Sequence, residues 1–101
     1  MINEDNILTA RTIIGDKVVT PEGVELGCVR DFLLDPETGK IAYGVLSYRA
    51  NPEIGEKQFA VPYEAFVLNE EKDVFTLNVD KEMLESANSK ETYQGKEYFI
   101  Y

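Results

Sequence analysis

Asp31, Asp35 and Glu37 gather around the stretch DFLLDPETGK. Carboxylates at this spacing are the start of a hard-cation site. Calcium and magnesium, however, take a cage of about six oxygen ligands or more, and the calcium-loop spacing is missing. The same residues suit a turn. Asp35 can bond the backbone two residues on, Pro36 presets φ, and Gly39 accepts the left-handed conformation that ends such a loop. Folding the chain back is therefore the preferred role, with Asp31 solvating a strand edge. Glu64 follows Pro62 and Tyr63 and precedes Phe66; a functional reading puts it in a pocket as an acid or base. The chain holds no histidine, the commonest general base and transition-metal ligand. No second catalytic carboxylate or lysine motif is identifiable, so PYEAF is read as a capping turn. Glu82 and Glu85 suit the first turn of a short helix, facing solvent and favouring its dipole. Cys28 is the one cysteine. It allows no intrachain disulfide, and in the apolar run LGCV it reads as a small buried hydrophobe. No catalytic residue, metal ligand or cofactor is assigned.

The C-terminal aromatics are a different matter. Tyr93, Tyr98, Phe99 and Tyr101 end the chain, and such a stretch must be buried somewhere. It can return to its own domain as an extra strand, or cross to a second chain and fill a groove or pair an edge. Aromatic residues are enriched in interface cores. These four are the candidate partner-binding residues, and a homodimer with Phe99 and Tyr101 among its contacts is expected.

Charge narrows the partners. Lys plus Arg total 10 and Asp plus Glu total 19, a net charge of −9. That repels phosphate backbones and contains no basic run, so nucleic acid is not an expected partner. A protein with a basic surface is, although plain solubility explains the same charge. No segment approaches the ~20 apolar residues of a membrane span. MINEDNILTA has no basic n-region and does not read as a signal peptide, so a cytoplasmic location is expected.

The 101 residues make one domain. Ile7 to Ile14 read as a short lead-in packed on the core. Lys17 to Thr20 read as a strand, and Pro21 to Gly23 as a hairpin connection. The next strand, from Glu25 to Leu34, is interrupted by Gly27, which predicts a bulge that swaps the buried face. Beyond it, Val29 and Leu33 are expected to share a face, with Phe32 and Leu34 competing for it. Lys40 to Arg49 alternates with apolar residues on both sides, as in a closed or two-layered sheet. RANPEIGEKQ reads as a loop, Phe59 to Pro62 as a strand, PYEAF as one helical turn, and Val67 with Leu68 as a short strand. Val74 to Val79 show one apolar face. Asp80 is expected to cap the helix of KEMLESA. About five or six short strands at this spacing, then one short helix and an aromatic tail, argue for an all-β domain, a small barrel or sandwich.

Residues from about 14 to 87 resemble the PRC-barrel family. IGDKVVTPEGVELGCVRDFLLDPETGKIAYGVL is similar to the family's opening pair of hairpins, with Gly15, Gly23, Gly27, Val29, Asp31, Asp35 and Gly39 in place. IGEKQFAVPYEAF looks like its central strand and Val-Pro-aromatic-Glu turn, DVFTLNV like its last barrel strand, and DKEMLESA like its closing helix. The resemblance implies a small β-barrel core over 14–87 followed by a tail over 88–101. Members include the cytoplasmic domain of the photosynthetic reaction-centre H subunit and the C-terminal half of a ribosome maturation factor; small stand-alone members match best. It implies a non-enzymatic interaction or assembly module. The alternative, by analogy with the H subunit, is a ligand-binding or cofactor-regulating module with a pocket at the barrel mouth lined by Tyr43, Tyr48 and Tyr63.

Overall fold

The structure, a computed structural model, describes residues 7–51, 55–69 and 71–101. A one-turn helix, α1 (Ala10–Ile13), leads into β1 (Lys17–Val19), β2 (Glu25–Asp35), β3 (Lys40–Asn51) and β4 (Gly55–Pro62). A 3-10 turn at Tyr63–Ala65 precedes β5 (Phe66–Asn69), β6 (Val74–Leu77), α2 (Lys81–Ser86), β7 (Ser89–Tyr93) and β8 (Lys96–Ile100). All eight strands lie in one sheet, in the order β5-β6-β1-β2-β3-β4-β8-β7.

The β class therefore holds, with two corrections. The strands among the described residues number eight, because the tail supplies a hairpin of its own. No ladder joins β5 to β7 among the described residues, so the sheet is open where a closed barrel was expected.

The open sheet still curls. Val18 of β1, Leu26 and Val29 of β2, Leu46 and Tyr48 of β3, and Phe59 and Val61 of β4 share one buried cluster with Phe75 and Leu77 of β6 and Leu84 of α2. Phe66 and Leu68, from one end of the strand order, and Phe99, from near the other, pack against that same cluster. A flat sheet cannot bring its two ends to one core; twist and bulges do so.

The first bulge is the one Gly27 predicts. Val18 pairs with Gly27 and Val19 with Glu25, so Leu26 is the extra residue. Gly27 sits at φ +151°, and a Cβ there would run into the Ser47 carbonyl of β3. Only a residue without a side chain lets the two backbones approach so closely. A second bulge carries no glycine. Val29 pairs with Leu46 and Asp31 with Val45, which leaves Arg30 extra. It returns Phe32 to the core face beside Val29 and sends Leu33 to the opposite face. The expected pairing of Val29 with Leu33 on one face is thus corrected.

The turn between β2 and β3 has the chemistry read from its residues. The Glu37 amide donates to Asp35 Oδ1 at 2.9 Å, and the Gly39 amide to the Asp35 carbonyl at 2.8 Å. RANPEIGEKQ is mostly strand rather than loop: β3 runs to Asn51 and β4 starts at Gly55. Of the polar residues there, Arg49, Glu56 and Gln58 meet on an outer face, while Lys57 turns towards α2. The lead-in is α1, from which Ile13 reaches the core while Ile7, Leu8 and Ile14 stay exposed.

Helix α2 closes the inner face. Asp80 caps it, its carboxylate accepting from the Glu82 amide at 2.9 Å. Leu84 is fully buried. Lys57 of β4 donates to the carbonyls of Glu85, at 2.9 Å, and Ala87, at 3.2 Å. A cation thereby meets carbonyls at the helix C-terminus, which lack partners within the helix. Glu85 does not simply face solvent as expected: its carboxylate accepts from the hydroxyl of the buried Tyr48 at 2.9 Å. Burial and this bond raise the Tyr48 pKa well above the usual phenol range.

The tail folds back on its own domain. Gln94 at φ 49° and Gly95 at φ 79° make the tight turn between β7 and β8. β8 pairs with β4 in parallel at one position, Phe59 opposite Phe99. On the outer face of the sheet, Tyr98 then covers Val45 and Ala60, with Leu33, Tyr43 and Tyr93 packed around them.

Candidate protein-binding groove

Two hairpins flank an open groove of about 930 Å³ on this outer face. On one side stands the end of the β2–β3 hairpin, contributing Leu33, Leu34, Asp35 and Tyr43. On the other stands the β7–β8 hairpin, contributing Tyr93, Gln94, Lys96 and Tyr98. Tyr43 and Tyr93 stack at a ring separation of 5.4 Å, and Tyr93 and Tyr98 at 6.1 Å. The influence of the neighbouring Tyr43 hydroxyl, then burial, holds the Tyr93 pKa up at about 12. Ring packing makes the wall aromatic and pre-ordered. Leu34 projects beside it at 62% exposure. Among the charged lining residues, Asp31 and Asp35 outnumber Lys96. Both carboxylates are engaged locally, Asp31 by the Phe32 amide at 2.8 Å and Asp35 by its turn.

The four candidate partner-binding residues have separate places. Tyr93 and Tyr98 belong to the groove, and Tyr98 is nearly inaccessible. Phe99 packs on the inner core against Phe59 at 5.6 Å, between the ammonium groups of Lys57 and Lys90, each 4.8 Å from its ring. Tyr101 rests edge-on against Phe59 at 6.2 Å and is the most exposed of the four. The three tyrosines expected at a barrel mouth do not share a pocket. Tyr43 lines the groove, Tyr48 is buried in the inner core, and Tyr63 meets Phe32 edge-on at 5.9 Å beside a smaller depression with Glu64. Leu34 was missed by sequence reasoning; its exposure depends on the register shift between Leu33 and Leu34, which no residue type announces.

At the other end of the outer face lies a polar node. Glu56 of β4 stands 3.4 Å from Arg30 and 3.6 Å from Arg49. Gln58 donates to its carboxylate at 3.0 Å. Hydrogen bonding from Ser47, then from Gln58, with the charge of Arg30 and a bond from Arg49, pulls the Glu56 carboxyl down to about 2 against the effect of burial. A carboxyl whose folded pKa is depressed stabilises the fold above its unfolded pKa, and that contribution is lost as pH falls through the folded one. Wild type is therefore expected to exceed Glu56→Gln in stability by about 1.5 kcal/mol at pH 7. The gap should close as pH falls from about 4.5 towards 2. Urea melts at stepped pH measure it; a gap that is constant with pH would contradict the assignment.

Among the described residues, no three or more of the metal-ligating side chains converge, and no helix is long and apolar enough to cross a membrane.

The model of the PRC-barrel domain matches residues 5–84, most of the chain, and the protein belongs to that family. No curated protein is similar enough to stand as a relative. The match stops within α2, so the β7–β8 hairpin and one whole wall of the groove lie beyond it. Family membership gives the frame; the job has to be argued from the site.

Proposed function

We propose that this domain is a non-enzymatic protein-interaction module, and that the groove between the two hairpins receives a partner segment with apolar side chains flanked by arginine or lysine. The observation that carries this reading is the tyrosine-walled groove itself. Tyr43, Tyr93 and Tyr98 hold one another in place, so an apolar side chain can bury there with little ordering cost. Aromatic faces and the two aspartates also favour a cationic neighbour, the guanidinium above all. The chain's −9 charge steers the same choice and opposes a second acidic copy in this groove. The polar groups at hand are the hydroxyls of tyrosines packed ring on ring and carboxylates fastened to backbone amides, which suits recognition better than proton transfer.

Fluorescence anisotropy with a short labelled peptide of alternating leucine and arginine tests the proposal. Binding with Kd on the order of 10–100 µM is expected, weaker at high salt. The same peptide with glutamate for arginine should not bind. Leu34→Ser, at an exposed position, should cost about tenfold in affinity without loss of fold. Equal binding of the acidic peptide, or a Kd untouched by Leu34→Ser, would overturn it. Homodimerisation is the second reading, carried by the exposed ring of Tyr101. Light scattering on wild type and Tyr101→Ser decides it: a dimer that becomes a monomer supports it, and a monomer in both removes it.

A further inference from the structure

The node around Glu56 borders a second groove, of about 520 Å³, lined by Lys17, Glu25, Gly27, Cys28, Arg30 and Arg49, among others. Three of the chain's 10 cations converge there from three adjacent strands, although the chain as a whole carries −9. Two carboxylates, Glu25 in the lining and Glu56 behind it, leave a local excess of positive charge. Both guanidinium contacts to Glu56 are long, at 3.4 and 3.6 Å, where a charge-assisted bond favours about 2.8 Å. One carboxylate is thus shared loosely by two forks, each with five donors. The side chains of Arg30 and Arg49 remain 52% and 69% exposed.

We propose that this groove is an oxyanion site, in which Lys17, Arg30 and Arg49 bind a carboxylate or phosphate group and Glu56 acts as the built-in competitor for the two arginines. The Arg fork matches both oxyanions in geometry, and lysine adds a point charge. The site is independent of the tyrosine-walled groove and does not rest on the function proposed for it.

The test is an amide NMR titration of the full chain with inorganic phosphate and, separately, acetate, at constant ionic strength set with sodium chloride. Saturable shifts at the amides of Lys17, Gly27, Cys28 and Arg49 are expected, at millimolar ligand. Stronger response to phosphate points to a phosphate ester as the natural ligand, and stronger response to acetate to a carboxylate. Lys17→Gln and Arg49→Gln, both at exposed positions, should each weaken binding roughly fivefold. Glu56→Gln removes the competitor and should tighten it by roughly the same factor. A merely structural ion pair would not give that gain. The proposal is overturned if the shifts do not saturate, if chloride alone reproduces them, if they survive both cation substitutions, or if Glu56→Gln leaves affinity unchanged or lower.

Discussion

Gly27→Ala is expected to cost on the order of 4 kcal/mol, close to the whole stability of a marginal small domain. Two effects add. The backbone at φ +151° is one that alanine rarely adopts, and the new Cβ would collide with the Ser47 carbonyl of the neighbouring strand. The obstacle is backbone, so no rotamer change relieves it. The strands would have to separate at the point where β2 feeds both Leu26 and Val29 into the core. Gly23→Ala is the control. It also has positive φ but open space around it, so strain alone acts, at about 1–2 kcal/mol. Urea melts followed by far-ultraviolet circular dichroism separate the two. Equal effects at both glycines would contradict the close approach.

Phe59→Ala is expected to cost about 3–5 kcal/mol, through lost burial and the cavity left behind. Phe59 is fully buried in the middle of β4 and touches three rings: Tyr48 at 6.2 Å, Phe99 at 5.6 Å and Tyr101 at 6.2 Å. It thus joins the core of the family-matched region to the tail hairpin, whose ladder pairing with β4 is Phe59 opposite Phe99. Beyond the drop in melting midpoint, amide exchange in β7 and β8 should accelerate more than in β2 and β3. Phe59→Leu, which keeps much of the volume, should cost about 1.5 kcal/mol or less. A tail that stays fully protected in Phe59→Ala would contradict this anchoring.

Much of the frame was legible in the sequence wherever one residue type dictates local geometry. Asp35, Pro36 and Gly39 each have a turn role that needs no distant partner, and the bonds of Asp35 match it. Gly27 announced its bulge, Asp80 its cap, and the two-sided apolar pattern of β3 its burial on both faces. What was not legible depends on distant contacts. Arg30 forms a bulge with no glycine to mark it, so the faces of Phe32 and Leu33 were misjudged. Glu56 and Gln58 looked like loop residues, since their side chains meet each other and Arg49 rather than a core. β7 exposes four of its five residues and so lacks alternation, and Gln-Gly is a weaker hairpin signal than Asn-Gly. The groove suffered most. Tyr43, Tyr93 and Tyr98 could each be singled out, but their meeting depends on a hairpin folding over the outer face.

That meeting of hairpins is where the functional account can be tested most directly. Amide NMR spectra of the full chain should be recorded as the leucine–arginine peptide is added. The account predicts saturable shifts confined to Asp31–Asp35, Ala42, Tyr43 and Thr92–Tyr98, the two walls of the groove. Shifts that centre instead on β5, on Tyr101 or on the Arg30–Arg49 groove, with these walls silent, would contradict it.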